Sequence, residues 1–181
     1  MRALTYIGLV LSASWIFTAY LFSSPERIRD FGHIMFIPAS VALVLRVSQG
    51  ESWRDLLRPL TRKLNVRAAA FALLYPLAFI AVCAVLAGIF GWAHADYSKL
   101  KYLVPRFTLV GFALNVLKMF GEEYGWRGTL LPELRRTRGP FASAAIVGLV
   151  WALWHGPVLY GLGRYLKVDH PLGLCLIQMG A

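Results

Sequence analysis

Acid is what this chain has least of. Nine Asp and Glu stand against nineteen Lys and Arg in 181 residues, and charged residues make up only 15% of the whole. Hydrophobic residues take 58% and the mean hydropathy is +0.58, which excludes an ordinary soluble domain, where roughly a quarter of residues are charged. Cysteine is scarce as well. Cys83 and Cys175 lie in apolar runs with no CxxC and no Cys/His cluster near them, so a disulfide framework and a thiolate metal site are both excluded, and the two read as small core residues. There is no internal repeat, no low-complexity tract and no His-Glu-x-x-His. The net charge of +10 would suggest nucleic acid in a soluble protein, but here the basic residues fall mostly between apolar stretches. They read as a topology signal and as contacts to anionic lipid, so membrane lipid is an expected partner and nucleic acid is not.

What the chain has in quantity is apolar length. Runs bounded by Pro, Gly or charge predict helical spans at 3–22, 31–47, 68–93, 106–131 and 141–160, with a sixth beginning near Leu172. The expected fold class is therefore all-α, a multi-span transmembrane helix bundle of five spans and a truncated sixth, forming a single membrane domain over 1–181. The first run, of roughly 20 residues, suits a retained span better than the shorter core of a cleaved signal peptide, which stays as the alternative. In the linker 48–67, Trp53, Leu56, Leu57, Leu60 and Leu64 recur at helical spacing between basic residues, the pattern of a segment on the membrane surface. Eleven of the nineteen Lys and Arg fall at Arg2, in 46–67 and in 127–138; seven fall on the alternate loops, and Lys118 lies within a span. That bias places the N-terminus in the cytoplasm and makes this an integral, multi-pass membrane protein. From Leu172 to Ala181 only ten residues remain, about half of the roughly 20 needed to cross a bilayer. The expectation is that the chain is incomplete at its C-terminus, lacks part of its active centre and is weak or inactive as it stands.

Ionisable groups inside apolar runs are expensive and signal function by default. Two such places stand out: Gly-Glu-Glu-Tyr-Gly-Trp-Arg-Gly at 121–128, and Trp-Ala-Leu-Trp-His-Gly-Pro at 151–157. Arg-Arg-Thr-Arg-Gly-Pro at 135–140 supplies charge and helix breakers between them, which predicts an antiparallel helical hairpin. Glu122 and His155 are equidistant from Arg138 and Gly139, so equal rise along two helices would bring them to similar depth, with Pro132 kinking the first helix on the way. Glu123 and Arg127 stand four apart and pair along one face, expected as a buried ion pair whose loss would cost on the order of 3–5 kcal/mol. Glu122 shares its face with Lys118 and Asn115 and is the carboxylate left to hold and deprotonate a water. Tyr124, Trp126, Trp151 and Trp154 read as packing or interfacial aromatics; Gly121, Gly125 and Gly128, at small-xxx-small spacing or nearly so, read as close helix packing. Each site alone has a bland reading, a solvated Glu pair or a core histidine; both in one hairpin at matched depth favour a shared active centre.

At these residues the chain resembles the CAAX prenyl protease 2 / Abi-type (CPBP) intramembrane proteases. The first motif of that family, Glu-Glu-x-x-x-Arg, is matched by Glu122, Glu123 and Arg127; the second, an aromatic followed four residues later by His, is matched by Trp151 and His155, with Trp where Phe is commoner. The resemblance covers about 106–160 strongly, and the catalytic part it implies runs from about 106 to 181. It implies a multi-span α-helical fold and hydrolysis of a peptide bond in a peptide or protein substrate at the membrane, CAAX-type processing included. Glu122 and His155 would activate the water, with Glu123 and Arg127 in support. The third element of the family, a late His with Asn or a similar residue four positions on, has no counterpart, since Leu174 stands four residues after His170; that leaves the oxyanion-stabilising half of the centre in question. Cofactors stay open: two Glu and one His would need a further ligand to hold zinc, and a metal-free glutamate mechanism is preferred. The alternative reading is a non-proteolytic membrane scaffold or bacteriocin-immunity-type protein with the same fold. A transporter that uses the buried charges as an ion relay ranks third.

Overall fold

Pro25, Pro38, Pro132 and Pro140 mark places where helices of this chain start or change pitch. The computed structural model describes residues 3–58, 65–91 and 109–173, and among these described residues there are helices and turns but no strand. Helix α1, Ala3–Leu21, buries Tyr6, Val10, Ser14, Thr18 and Leu21, a stripe with a spacing close to four that lies on one face. Pro25 opens a 3-10 helix, Pro25–Phe36, which runs directly into α2, Ile37–Ser48. Pro38 has no N–H to offer the carbonyl of Ile34, and the Ile37 N–H takes that carbonyl instead. The pitch changes there.

A short helix α3, Trp53–Leu57, follows, with Ser52 as its cap: the Ser52 hydroxyl accepts the Asp55 N–H at 3.4 Å. Leu56 is buried while Trp53 and Leu57 stay exposed, as expected for a segment that rests on a surface. Helix α4, Val66–Ile89, is capped by the Asn65 side chain, which accepts the Ala68 N–H at 3.1 Å. Helix α5 is Leu109–Gly125; a π-helical turn, Trp126–Leu130, leads into α6, Leu131–Arg135. After the turn at 136–139, α7 runs from Pro140 to Tyr165, with proline at the first position, where its missing N–H costs nothing. The expected hairpin is present.

The all-α fold is as expected. Four helical segments, Ala3–Leu21, Pro25–Ser48, Val66–Ile89 and Pro140–Tyr165, are long and apolar enough to cross a membrane. They correspond to four of the five expected spans, the second starting six residues earlier than composition suggested. The remaining one, the fourth in chain order, expected at 106–131, is not one unbroken α-helix: α5 gives way to the π-turn and α6, and 106–108 lie outside the described residues. Also outside them are the loop carrying Lys99, Lys101 and Arg106, part of the linker at 59–64, and the sixth run from Leu174 onward.

The chain divides into two compact units, Met1–Pro59 with Leu114–Ala181, and Leu60–Ala113. In the first, α1 packs on α7, on the 3-10 helix and on α2, around a core that includes Tyr6, Val10, Ile34, Tyr124, Trp126, Leu130, Trp154 and Val158. The second holds α4, the most apolar of the four candidate spans, none of whose residues is buried. Cys83 lies on α4 and is exposed, which corrects its reading as a core residue: a helix apolar all round gives no clue to which side chains are covered by protein. Cys175 lies outside the described residues.

Candidate active site

The Glu-Glu motif sits where α5 comes closest to the rest of the first unit. A Cβ added to Gly121 would stand 2.7 Å from the Met35 carbonyl oxygen, and one added to Gly125 would run into Pro38 and stand 2.5 Å from the Tyr6 hydroxyl. Two glycines one turn apart therefore let the α5 backbone lie against residues 35–38, which is the close packing that their spacing predicted. Glu122, next to Gly121, is carried inward and is only 9% exposed. Its Oε2 accepts the indole N–H of Trp151 on α7 at 3.1 Å. Glu123, one residue on, points the other way and pairs with Arg127.

The two carboxylates are thus separated as their spacing suggested, one in an ion pair and one without. Among the described residues no cation pairs with Glu122. Lys118 extends towards Gly32 instead, where a Cβ would stand 2.8 Å from its Nζ. Burial of the ion pair is where the expectation fails: the Arg127 and Glu123 side chains are 66% and 48% exposed. An exposed i,i+4 pair contributes on the order of 1 kcal/mol or less, not the several kcal/mol of a buried one. The expected outcome is that Arg127→Leu shifts the thermal stability in detergent by less than about 1 kcal/mol. A larger loss, rescued by adding Glu123→Gln, would show that the pair is covered after all.

Past the motif, Pro132 has no N–H for the Gly128 carbonyl, and the helix meets that gap with the π-turn. The Leu131 N–H reaches back to the Trp126 carbonyl, and the Thr129 hydroxyl donates to the Tyr124 carbonyl at 3.0 Å. A cavity of about 320 Å³ lined by Arg46, Glu51, Gly128, Thr129 and Glu133, among others, opens beside this turn.

On α7 the side chains at 151, 154 and 155 form one cluster. The His155 ring meets Trp151 edge-to-face at 4.2 Å and Trp154 at 4.4 Å, and its Nδ1 is 3.1 Å from the Trp151 carbonyl oxygen. A carbonyl only accepts, so Nδ1 carries the proton and Nε2 of the neutral ring presents a lone pair. Trp154 is 1% exposed. Its indole N–H donates to the Ser14 hydroxyl on α1 at 2.6 Å, and its ring meets Trp126 at 5.7 Å. Trp126 and Trp154 are packing residues, as expected; Trp151 has a polar role besides.

Glu122 and His155 each meet Trp151, but among the described residues no hydrogen bond joins the two. Trp151 stands between, bound to Glu122 through its indole and to His155 through its carbonyl. His170 is exposed, and Leu174 lies outside the described residues. No three His, Cys, Asp or Glu side chains among the described residues stand close enough to share a metal ion.

Sequence reasoning missed Arg46. Its guanidinium donates to Glu51 Oε2 through Nε at 2.8 Å, to the Tyr124 hydroxyl at 3.0 Å and to the Asp55 carbonyl at 2.9 Å. Tyr124 in turn donates to the Leu56 carbonyl at 2.9 Å. The fork ties α2 and α3 to the residue beside the two glutamates. The available signal was the one used at Glu122, a charge at the end of an apolar run, but Arg46 was counted with the loop charges that set topology.

Residues 104–180 match the family model described as type II CAAX prenyl endopeptidase Rce1-like, a stretch that takes in Glu122, Glu123, Arg127, Trp151 and His155. The chain is also similar to CAAX prenyl protease 2 of Methanococcus maripaludis, 29% identical over 89 residues, which take in 40% of this chain and 32% of the relative. The matched region thus spans about a third of that relative's length. No solved structure matches.

Proposed function

We propose, from the match of residues 104–180 to the type II CAAX prenyl endopeptidase Rce1-like family model, that the chain hydrolyses a peptide bond in a membrane-associated substrate. Glu122 is its general base and His155 assists. The observation that carries the reading is the buried Glu122 carboxylate, paired with no cation among the described residues and bound by the Trp151 indole, whose ring and carbonyl in turn meet the half-buried His155. A water accepted by the free oxygen, Oε1, of Glu122 gives up a proton to that carboxylate, while Nε2 of His155 accepts its other hydrogen and aligns it. The water oxygen then bonds to the scissile carbonyl carbon. The C–N bond breaks, and the proton held on Glu122 goes to the leaving nitrogen. Glu123 at the end of α5 and Arg127 in the π-turn that follows support the base, keeping the second carboxylate neutralised and turned away.

The likeness to type II CAAX prenyl endopeptidases and to the Methanococcus maripaludis CAAX prenyl protease 2 makes a prenylated CAAX peptide the first substrate to test. Expressed in its full natural reading frame and placed in liposomes, the protein is expected to release the C-terminal fragment of such a peptide, and Glu122→Gln to stop it at unchanged folding. Wild-type protein that cleaves neither this peptide nor a panel of membrane-anchored ones would overturn the hydrolytic reading in favour of the non-proteolytic scaffold or immunity-type alternative.

A further inference from the structure

Trp151 touches both members of the proposed water-activating pair, and it does so with two different groups. Its indole N–H is 3.1 Å from Glu122 Oε2, its carbonyl oxygen is 3.1 Å from His155 Nδ1, and its ring lies 4.2 Å from the imidazole at an interplanar angle of 62°. Each contact removes a freedom the site would otherwise have. The indole occupies one carboxylate oxygen and so decides that the other faces the water; the carbonyl fixes the proton on Nδ1 and so leaves Nε2 as the acceptor; the ring, with Trp154 across from it, limits rotation of the imidazole about its χ angles. Trp154 is itself pinned by Ser14 on α1, so α1 braces the far side of the cage.

We propose that Trp151 is a positioning residue: it sets Glu122 and His155 in register across the hairpin and determines which atom of each meets the water. The inference rests on the hydrolytic reading for its kinetic consequence, though the contact itself can be measured without any activity. The distinction that matters is between the ring and its N–H. Phenylalanine at 151 would keep an aromatic ring and the same backbone carbonyl, and would lose only the donor to Glu122. Misplacement of a catalytic group on the scale of 1 Å costs on the order of 10²-fold in rate, and the loss falls on kcat rather than KM, because Glu122 is released and no substrate contact is removed.

Two measurements on the full chain test this. In protein labelled with ¹⁵N-tryptophan, which carries six indoles, Trp151→Phe removes and thereby assigns one resonance. Glu122→Gln is then expected to move that resonance and leave that of the exposed Trp15 in place, since an amide oxygen is a weaker acceptor than a carboxylate. In the cleavage assay, Trp151→Phe is expected to lower kcat on the order of 10²-fold with KM little changed, whereas Trp15→Phe leaves both as they are. An indole resonance indifferent to Glu122→Gln would overturn the inference whatever the activity, and so would a Trp151→Phe variant with wild-type kcat. In a chain that cleaves no peptide, the hydrolytic reading falls, and a resonance that moves with Glu122→Gln still upholds the hold of Trp151 on Glu122.

Discussion

The double variant Glu122→Gln/His155→Ala is expected to cleave no more slowly than the worse of the two single variants. General acid–base groups contribute typically 10²–10⁴-fold each, so either single change should reduce kcat by about that range. If the two groups acted on separate steps, their losses would multiply. Acting on one water, they form a unit, and removal of the first leaves the second with nothing to align. Folding should survive both changes. Glutamine at 122 still offers an oxygen to the Trp151 indole, and alanine at 155 removes a half-buried ring that donates only to a helix carbonyl. Rates of the three variants at saturating peptide, with a thermal melt of each as a folding check, decide the matter. A double-variant loss equal to the product of the single losses would show independent action and would end the shared-water mechanism.

That prediction depends on how the hairpin is registered, which was the least legible feature of the sequence. Breakers at 135–140 fixed the turn, and i,i+4 spacing fixed the Glu123–Arg127 pair and the glycine face, because each depends on residues close together in the chain. Depth does not. Counting equal rise from the turn sets Glu122 opposite His155, yet the residue that Glu122 meets is Trp151, four positions nearer the turn. The π-turn at Trp126–Leu130 accounts for the direction of the difference: it takes more residues per turn than an α-helix. The first arm therefore rises less than its length implies, and its partner lies closer to the turn on α7. Pro132 was visible as a perturbation; that it would be absorbed by a π-turn rather than by a kink was not.

Burial was harder to read for a similar reason. In a soluble helix the polar face marks the outside, but apolar residues here face protein and lipid alike, so composition could not separate the covered Glu122 from the uncovered Glu123. What separates them is Gly121 and Gly125, which bring one side of α5 against residues 35–38 and leave the other side free. The fork of Arg46 on Glu51, Tyr124 and Asp55 depends on contacts between residues up to 78 apart in the chain, beyond the reach of any local pattern.

Gly125→Ala is expected to destabilise the protein, whereas Gly148→Ala should leave it unchanged or slightly more stable. Both glycines lie in helices, where alanine is intrinsically better by roughly 0.5–1 kcal/mol. At Gly148 on α7 an added Cβ meets nothing within 4 Å, so only that gain is felt. At Gly125 the added methyl meets Pro38, including its backbone carbonyl carbon at 2.7 Å, and the Tyr6 hydroxyl at 2.5 Å. The proline ring and the backbone cannot yield as the tip of a flexible side chain would, and overpacking of this kind costs typically about 1–3 kcal/mol. The Tyr6 hydroxyl is held too, since it donates to the Pro38 carbonyl at 3.1 Å, so moving it aside breaks the bond that ties α1 to α2. The helix that must shift is the one that carries Glu122. Loss of stability should therefore come with loss of the Glu122–Trp151 contact and of cleavage, both greater for leucine at 125 than for alanine. Melting curves in detergent for the two alanine variants, beside the wild type, supply the comparison. A Gly125→Ala variant as stable as Gly148→Ala would mean that α5 does not lie against residues 35–38, and the burial of Glu122 would lose its structural basis.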